Sequence, residues 1–324
     1  MTLTYLERLI CLIAVIAGLV HVGTELVLHG IAPIVLRLMA SLPARQRERL
    51  LYLLQLTPML LAMLVTGAFC VPQYLHNETN LGSEKISLIC IAAGLLAALW
   101  YGTTALRGLR IALRTARFLH ACKGPGSYGA FIHKSTPVVI CPGLFSGVAL
   151  VGFLRPFIVV SENLVGASGL SRIALEVVLD HECSHARQFD NWKLFLLNFV
   201  PTLGLRLHAG RTWTELWQNT AEWAADDDAV RDDNTRLLVL AETLVAVARK
   251  TSPQPAMVWA TLASAGVDFA ARIDRLLIRR PRVSVPRRWY VLGLLSVLAV
   301  GVIGGTAGRT LPLHNLPEHV LHLR

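Results

Sequence analysis

Long apolar runs occupy four stretches of the chain, three before residue 107 and one near the C-terminus. They cover residues 9–28, 50–71, 86–106 and 289–308. Each run has about 20 residues, and at 1.5 Å per residue a helix of that length crosses a hydrocarbon core of roughly 30 Å. The pattern therefore predicts about four transmembrane helices, the first three forming a bundle over residues 1–106.

Between the third and fourth runs, residues 107–288 show shorter and more varied patterns. Three runs rich in β-branched residues predict strands: TPVVIC (136–141), GVALVGF (147–153) and PFIVVS (156–161). Helical periodicity begins at Ser171 and continues through Trp213–Asp233 and Thr235–Lys250. We therefore expect a mainly α membrane protein with an α+β domain at 107–288, closed by a C-terminal span and short tail at 289–324.

A shorter apolar run, LFLLNFVPTLGL, lies inside this predicted domain at residues 194–205. Its 12 residues are too few to cross a bilayer. We interpret the run as a membrane-surface or re-entrant segment.

The composition supports a membrane protein and argues against a soluble one. Hydrophobic residues make up 54% of the chain and charged residues only 16%, whereas soluble domains have about 25% charged residues. Mean hydropathy is +0.52. The six cysteines show no paired spacing, which indicates a reduced domain without disulfides.

The net charge of +10 comes largely from arginines that cluster beside the apolar runs. One cluster lies between the first and second runs, one directly follows the third, and RIDRLLIRRPRVSVPRR (272–288) precedes the fourth. By the positive-inside rule, these flanks predict a multi-pass cell-membrane protein with its N-terminus outside and residues 107–288 in the cytoplasm. Such clusters attract anionic headgroups, so we expect contact with the lipid bilayer and no direct nucleic-acid partner.

The stretch HECSH (His181–His185) carries an HExxH pattern on a predicted helix. Residues i and i+4 lie on one face of a helix, so His181 and His185 can bind the same ion. Glu182 lies one step round the helix, where it can contact a water molecule bound to that ion. The alternative is a surface helix that contains two histidines by chance.

A catalytic zinc site usually has three protein ligands and a fourth position for water. The candidate third ligand is Glu222, in AEWAADDDAV (221–230) on a separate predicted helix. Asp226, one turn later, is interpreted as a carboxylate that orients an imidazole, with the alternative that it is the third ligand itself. The neighbouring aspartates are interpreted as a solvated helix end; they are Asp227, Asp228, Asp232 and Asp233.

Three segments give the chain a resemblance to a known family. RPFIVVSENL (155–164), HECSHARQFDNW (181–192) and EWAADDDAV (222–230) resemble, in order and spacing, the RP-strand, HExxH and ExxxD elements of the BlaR/MecR-type membrane zinc metallopeptidases. These enzymes are gluzincins related to the HtpX-type proteases. The resemblance runs through most of the chain, from the three N-terminal spans to the closing one.

The resemblance implies a cytoplasmic gluzincin-like domain that binds one Zn²⁺ per chain and hydrolyses peptide bonds, with Glu182 as general base. The other implied site residues are the zinc ligands His181, His185 and Glu222 and the supporting residues Asp190 and Asp226. It also implies a protein substrate, such as a cytoplasmic transcriptional repressor, that is inactivated by regulatory proteolysis in signal transduction.

Two features depart from the family pattern. Family members that sense β-lactams carry a large extracellular penicillin-binding domain after the last span, whereas this chain ends at Arg324, so sensing by such a domain is not expected. The centre of the motif is Cys183-Ser184, where an apolar residue is more usual. Cys183 is interpreted as a small buried residue, with a redox-sensitive thiol as the alternative.

Peptide hydrolysis needs a group that stabilises the tetrahedral oxyanion. His208 and Arg211, just after the run at 194–205, are candidates, and either is also compatible with binding lipid headgroups. PFIVVS is a candidate edge strand to which a substrate peptide would add, with an ordinary core strand as the alternative.

Two further groups of polar residues belong to predicted membrane flanks or spans. His21, Glu25 and His29 share one face of the first span. A polar contact with another span is the favoured interpretation, and a second metal site or a signal-coupling contact is the alternative. Arg279-Arg280 is a candidate self-cleavage site, but an anchor of the last span explains this basic stretch without further assumptions.

Three functions are compatible with the sequence. The first is regulatory proteolysis of a partner, and the second is an HtpX-type protease that degrades damaged membrane proteins. The third is a membrane signal transducer that binds zinc without hydrolysis. Glu182 argues against the third, because a purely structural zinc site has no use for a general base.

Overall fold

The computed structural model describes residues 4–77, 87–122, 128–141, 147–165, 169–207, 210–250, 259–261 and 269–278. Within them the chain is mostly helical and carries one small mixed sheet, which confirms the predicted combination of an α membrane protein with an α+β region. The helices are α1 (Tyr5–Met39), α2 (Ala44–Val65), α3 (Val71–Asn77), α4 (Leu88–Cys122), α5 (Arg172–Gln188), α6 (Asp190–Leu197), α7 (Trp213–Val230), α8 (Asn234–Lys250) and α9 (Phe269–Leu277). The strands are β1 (Tyr128–His133), β2 (Thr136–Cys141), β3 (Val148–Val151), β4 (Phe157–Ser161) and β5 (Trp259–Thr261). A π-helical turn at Thr66–Cys70 joins α2 to α3, and a 3₁₀ turn at Glu162–Leu164 follows β4.

Three helical stretches are long and apolar enough to cross a membrane: Tyr5–Met39, Ala44–His76 and Leu88–His120. They contain the first three apolar runs but extend beyond them. Helices α1 and α4 have 35 residues each, or about 50 Å at 1.5 Å per residue, which exceeds a hydrocarbon core of roughly 30 Å. The predicted domain boundary at residues 106/107 falls inside α4, and the predicted fourth span at 289–308 lies outside the described residues.

The sheet has five strands in the order β1-β2-β4-β3-β5, with β2 and β4 parallel and the other neighbours antiparallel. One face packs against Val177 and Val178 of α5. The other packs against Phe118 and Leu119 near the end of α4. Strand β4 is buried along its whole length, which explains an apolar run without alternation. The prediction that PFIVVS is an edge strand is therefore wrong, because β2 and β3 pair with both sides of β4.

Two polar side chains of α1 bind the irregular segment that connects α6 to α7. His21 Nε2 lies 3.0 Å from the carbonyl oxygen of Pro201. The Glu25 carboxylate accepts hydrogen bonds from the Thr202 hydroxyl at 2.9 Å and the Leu203 amide at 3.0 Å. These contacts hold the second half of the 194–205 run against the first membrane helix.

His21 also meets a second span, since its Nδ1 lies 3.1 Å from the Tyr101 hydroxyl of α4. The favoured interpretation, a polar contact between spans, therefore holds for His21. His29 does not join this contact, because its buried Nδ1 has no hydrogen-bond partner within the described residues.

Candidate metal centre

Helix α5 carries both histidines of the HExxH motif into the protein interior. The helix begins after Ser171, whose hydroxyl accepts a hydrogen bond from the Ala174 amide at 3.2 Å, as an N-cap residue does. His181 and His185 lie one turn apart and are both buried. Their Nε2 atoms are 3.2 Å apart, so the two rings converge on one point.

Helix α7 brings Glu222 to the same point. This helix begins with a capping box formed by Thr212 and Glu215, and it packs across α5. One Glu222 carboxylate oxygen lies 3.3 Å from His181 Nε2, and the other lies 3.7 Å from His185 Nε2. Ligand atoms from the three residues all lie within 4.8 Å of one another. The structure therefore brings together the three residues that the sequence analysis proposed as ligands.

The other ring nitrogen of each histidine contacts a carboxylate. His181 Nδ1 lies 3.0 Å from Asp226, and His185 Nδ1 lies 2.8 Å from Asp190. A carboxylate on one nitrogen fixes the tautomer and leaves the opposite nitrogen for a metal. Because Asp226 contacts His181 on the nitrogen that faces away from Glu222, its position favours the orienting role over that of third ligand.

Asp190 reaches His185 because the chain changes direction between α5 and α6. Phe189 ends α5 in the left-handed conformation, with φ of 57°, and α6 begins at the next residue. Non-glycine residues adopt positive φ rarely, and the sequence contains no glycine here that would have marked the turn.

Glu182 is buried on the same helix and is held by the sheet. One of its carboxylate oxygens accepts a hydrogen bond from the Leu150 amide of β3 at 2.9 Å. The other has no hydrogen-bond partner within the described residues. Burial raises the pKa of Glu182 to about 7, although both histidines oppose this effect. A carboxyl group with a free oxygen and a near-neutral pKa has the properties of a general acid–base.

Arg272 of α9 is a site residue that the sequence analysis missed. Its guanidinium donates hydrogen bonds to Asp226 at 2.6 and 2.9 Å and forms an ion pair with Glu222 at 3.0 Å. Its side chain is completely buried. In the sequence, Arg272 is the first arginine of the basic stretch interpreted as a membrane anchor. The amphipathic segment FAARIDRLL indicates a packed helix instead, because Arg272 and Leu276 share one face of it.

Buried charges of both signs surround the point where the ligand atoms meet. Burial disfavours the charged forms of Glu222 and Asp226, but the Arg272 guanidinium and His181 outweigh it and lower the pKa of both carboxyl groups. Burial also disfavours a charged His181, yet the adjacent carboxylates of Asp226 and Glu222 raise its pKa to about 9. The carboxylates therefore favour positive charge at this point.

The ligand atoms fit a zinc ion. Zinc binds imidazole nitrogen and carboxylate oxygen at about 2.0–2.2 Å in tetrahedral geometry, so its ligand atoms lie about 3.4 Å apart. The two Nε2 atoms are 3.2 Å apart, and the two Glu222 oxygens lie 3.3 Å from His181 and 3.7 Å from His185, one oxygen next to each ring. The donor set of two imidazoles and one carboxylate is also one that catalytic zinc uses.

The remaining described candidate residues are not part of the cluster formed by His181, His185 and Glu222. His208 lies outside the described residues. Arg211 directly precedes Thr212, about 15 Å along the axis of α7 from Glu222, so the structure does not bring it into the cluster. Cys183 is buried, and burial raises the pKa of its thiol, which fits a small buried residue.

Two aspartates that were expected at a solvated helix end are paired instead. Asp227 binds Arg275 of α9 at 2.6 Å. Asp228 accepts hydrogen bonds from Arg45 of α2 at 2.8 Å and from the Ser184 hydroxyl at 2.6 Å. The two later aspartates follow the end of α7 and are exposed, as predicted.

Comparison with models of known protein families finds no family that matches this chain, and comparison with curated proteins finds no matching relative. The functional assignment therefore depends on the chemistry of the site.

Proposed function

We propose that this protein is an integral-membrane zinc metalloendopeptidase with a gluzincin-like domain of the BlaR/MecR type and one zinc ion per chain. The observation that carries the proposal is the convergence of His181, His185 and Glu222 beside Glu182, whose second carboxylate oxygen has no hydrogen-bond partner in the described part of the chain. Structural zinc usually has four protein ligands, many of them cysteines. Among the residues that the structure describes, three candidate ligands lie next to a carboxyl group with one unbonded oxygen, which fits a hydrolase better.

The chain supplies the proton-transfer and positioning groups of this reaction. Zinc, when bound, would polarise the scissile carbonyl group and lower the pKa of a water molecule. The Leu150 amide holds one oxygen of Glu182, so the other oxygen can take a proton from water and later deliver it to the leaving amine. Asp190 and Asp226 keep the imidazoles in the tautomer that presents Nε2 to the metal.

The strand next to Glu182 is β3, whereas the sequence analysis proposed PFIVVS, which is β4, as the strand that a substrate peptide joins. The outer edge of β3 pairs with β5 in the register Ala149 to Thr261, Leu150 to Ala260 and Val151 to Trp259. A substrate peptide that extended the sheet beside Glu182 would add a strand at this edge. Such a peptide would therefore take the place of β5.

In this proposal the protein crosses the membrane four times, has its metal centre in the cytoplasm and cleaves a protein substrate such as a transcriptional repressor. The arginine clusters beside the spans support the cytoplasmic side. The repressor rests on the family resemblance alone.

The test compares the unmodified chain, Glu182→Gln and Glu222→Gln, all purified in mild detergent. Zinc per chain is measured by elemental analysis, and fragments of an added polypeptide by mass spectrometry. We expect zinc and cleavage in the unmodified chain, and zinc with a rate about 10²–10⁴-fold lower in Glu182→Gln, because the base is lost. Glu222→Gln should lose both zinc and cleavage, because a ligand is lost.

Cleavage by Glu182→Gln at the unmodified rate would contradict the proposed base. Stoichiometric zinc without cleavage by any of the three proteins would support the alternative function, a zinc-binding signal transducer. Cleavage of many unrelated polypeptides would favour HtpX-type quality control over regulatory proteolysis.

A further inference from the structure

Glu48 lies in the second turn of α2, where the second membrane helix begins, and it is completely buried. The same carboxylate oxygen, Oε1, accepts two hydrogen bonds. The donors are Lys193 Nζ at 2.8 Å and the Trp217 indole at 2.9 Å. Lys193 lies on α6 and Trp217 on α7. A single carboxylate of the membrane bundle thus binds α6, which carries Asp190, and α7, which carries Glu222.

Lys193 connects this contact to the metal centre. Its ammonium group also donates a hydrogen bond to Asp190 at 2.8 Å, and the second Asp190 oxygen lies 2.8 Å from His185 Nδ1. Glu48, Lys193, Asp190 and His185 therefore form one continuous chain of charged hydrogen bonds from a membrane helix to a metal ligand.

A second contact fixes the same end of α2 against the metal centre. Arg45, one turn before Glu48, donates hydrogen bonds to the Ser184 hydroxyl at 2.7 Å and to Asp228 at 2.8 Å. Ser184 directly precedes His185, and Asp228 lies on α7. Any shift of α2 relative to α5, α6 and α7 would break several of these contacts together.

We infer that Glu48 is a positioning residue of the metal centre, and that metal binding depends on the position of the second membrane helix. The inference rests on the proposed function in so far as the cluster binds a divalent cation. It adds a route by which a change in the membrane bundle reaches the site.

Replacing Glu48 by glutamine separates its charge from its size. Glutamine keeps an oxygen that can accept from Trp217 but removes the charge that Lys193 binds. Within the described residues Lys193 then has Asp190 as its single carboxylate partner, so it draws Asp190 away from His185. The surroundings of the site also become more positive by one charge. Both changes weaken the binding of a divalent cation.

The test is a double-mutant cycle on Co²⁺ affinity, measured by chelator competition on the full chain in mild detergent. Changing a carboxylate bonded directly to a ligand costs about 10–100-fold in metal affinity, which we expect for Asp190→Asn. For Glu48→Gln, one contact further out, we expect a loss of about 3–10-fold. In the Asp190→Asn background, Glu48→Gln should cost less than in the unmodified chain, because the route through Asp190 is already broken and only the loss of one negative charge remains.

The matched control is Arg49→Gln, the next residue on α2, whose exposed side chain binds Gln188 outside this chain of contacts. It should leave Co²⁺ affinity unchanged. Thermal unfolding of the metal-free proteins identifies a variant that does not fold. Should Glu48→Gln fail in this way, Glu48→Asp takes its place in the cycle, since it keeps the negative charge but draws the carboxylate back from Lys193.

Three results would overturn the inference: unchanged Co²⁺ affinity in Glu48→Gln, losses that multiply in the double variant as a general packing defect would produce, or no Co²⁺ binding by the unmodified chain. None of these measurements uses hydrolysis. A chain with the expected coupling but no cleavage of any polypeptide would keep the positioning role of Glu48 and lose the proposed peptidase activity.

Discussion

Arg272 is a buried cation between two carboxylates of the candidate metal centre, Asp226 and Glu222. Arg272→Met leaves both carboxylates without this partner, and breaking a buried ion pair from one side costs about 3–5 kcal/mol. We expect the metal-free variant to unfold at a lower temperature than the unmodified chain. Zinc should raise the unfolding temperature more in the variant, because the divalent cation replaces the missing charge. Thermal unfolding with and without zinc measures both effects.

Arg275→Met is the matched control on the same helix. Its partner Asp227 is partly exposed, so the ion pair is screened by solvent and its loss should cost about 1 kcal/mol or less. Equal stabilisation of Arg272→Met and of the unmodified chain by zinc would show that Arg272 does not act as a counter-charge of the site.

The two histidines of the site could be predicted from the sequence, whereas Arg272 could not, and the difference has a physical cause. His181 and His185 are one helical turn apart, so helix geometry alone places them together. Arg272 is 46 residues from Asp226, and only the tertiary packing that places α9 beside α8 brings them together. In the sequence it is one arginine among several in a basic stretch, so composition favoured the membrane-anchor interpretation.

The segment between α6 and α7 is an irregular element whose position depends on α1. The double variant His21→Ala with Glu25→Ala removes hydrogen bonds to three consecutive residues, 201–203. Each bond contributes about 1 kcal/mol, so local opening of the segment becomes more favourable. We expect trypsin to cleave after the exposed Arg206 at least about tenfold faster, since cleavage of an open state follows its population. Mass spectrometry of early fragments gives the rate.

Thr24→Val serves as the control for this prediction. Thr24 lies on the same helix, but its hydroxyl donates to the Val20 carbonyl oxygen within α1 and does not reach the segment. Cleavage after Arg206 at the same rate in the double variant and in this control would show that α1 does not hold the segment.

The apolar runs of the sequence predict three membrane helices but not where these helices end. The apolar run of α4 ends where a bilayer would end, whereas the helix continues because Phe118 and Leu119 pack on the sheet. Strand β4 shows the opposite case: its unbroken apolar run indicated burial on both faces. An unbroken apolar run argues against an edge strand, and the position of β4 between β2 and β3 contradicts the edge-strand hypothesis.

The membrane helices have two distinct ends in the whole molecule. At one end Arg45 binds Ser184, and Gly108 approaches the Phe199 ring so closely that a Cβ there would lie 2.8 Å from it. This end therefore carries the candidate metal centre and the first two arginine clusters, within residues 37–49 and 107–117. At the other end Tyr5 and Tyr74 are in contact, with ring centroids 5.0 Å apart. The difference in charge between the two ends therefore predicts how the molecule is oriented in the membrane.

Because arginine-rich flanks remain in the cytoplasm, the end with the metal centre should face the cytoplasm and the end with Tyr74 should face outward. The exposed residues His76 and Thr235 lie toward these two ends, and each can be replaced by cysteine. We expect a membrane-impermeant maleimide to label His76→Cys in intact cells and Thr235→Cys only after lysis. The unmodified chain, with its six native cysteines, gives the background. Labelling of Thr235→Cys in intact cells would place the metal centre outside, where a cytoplasmic repressor cannot be its substrate.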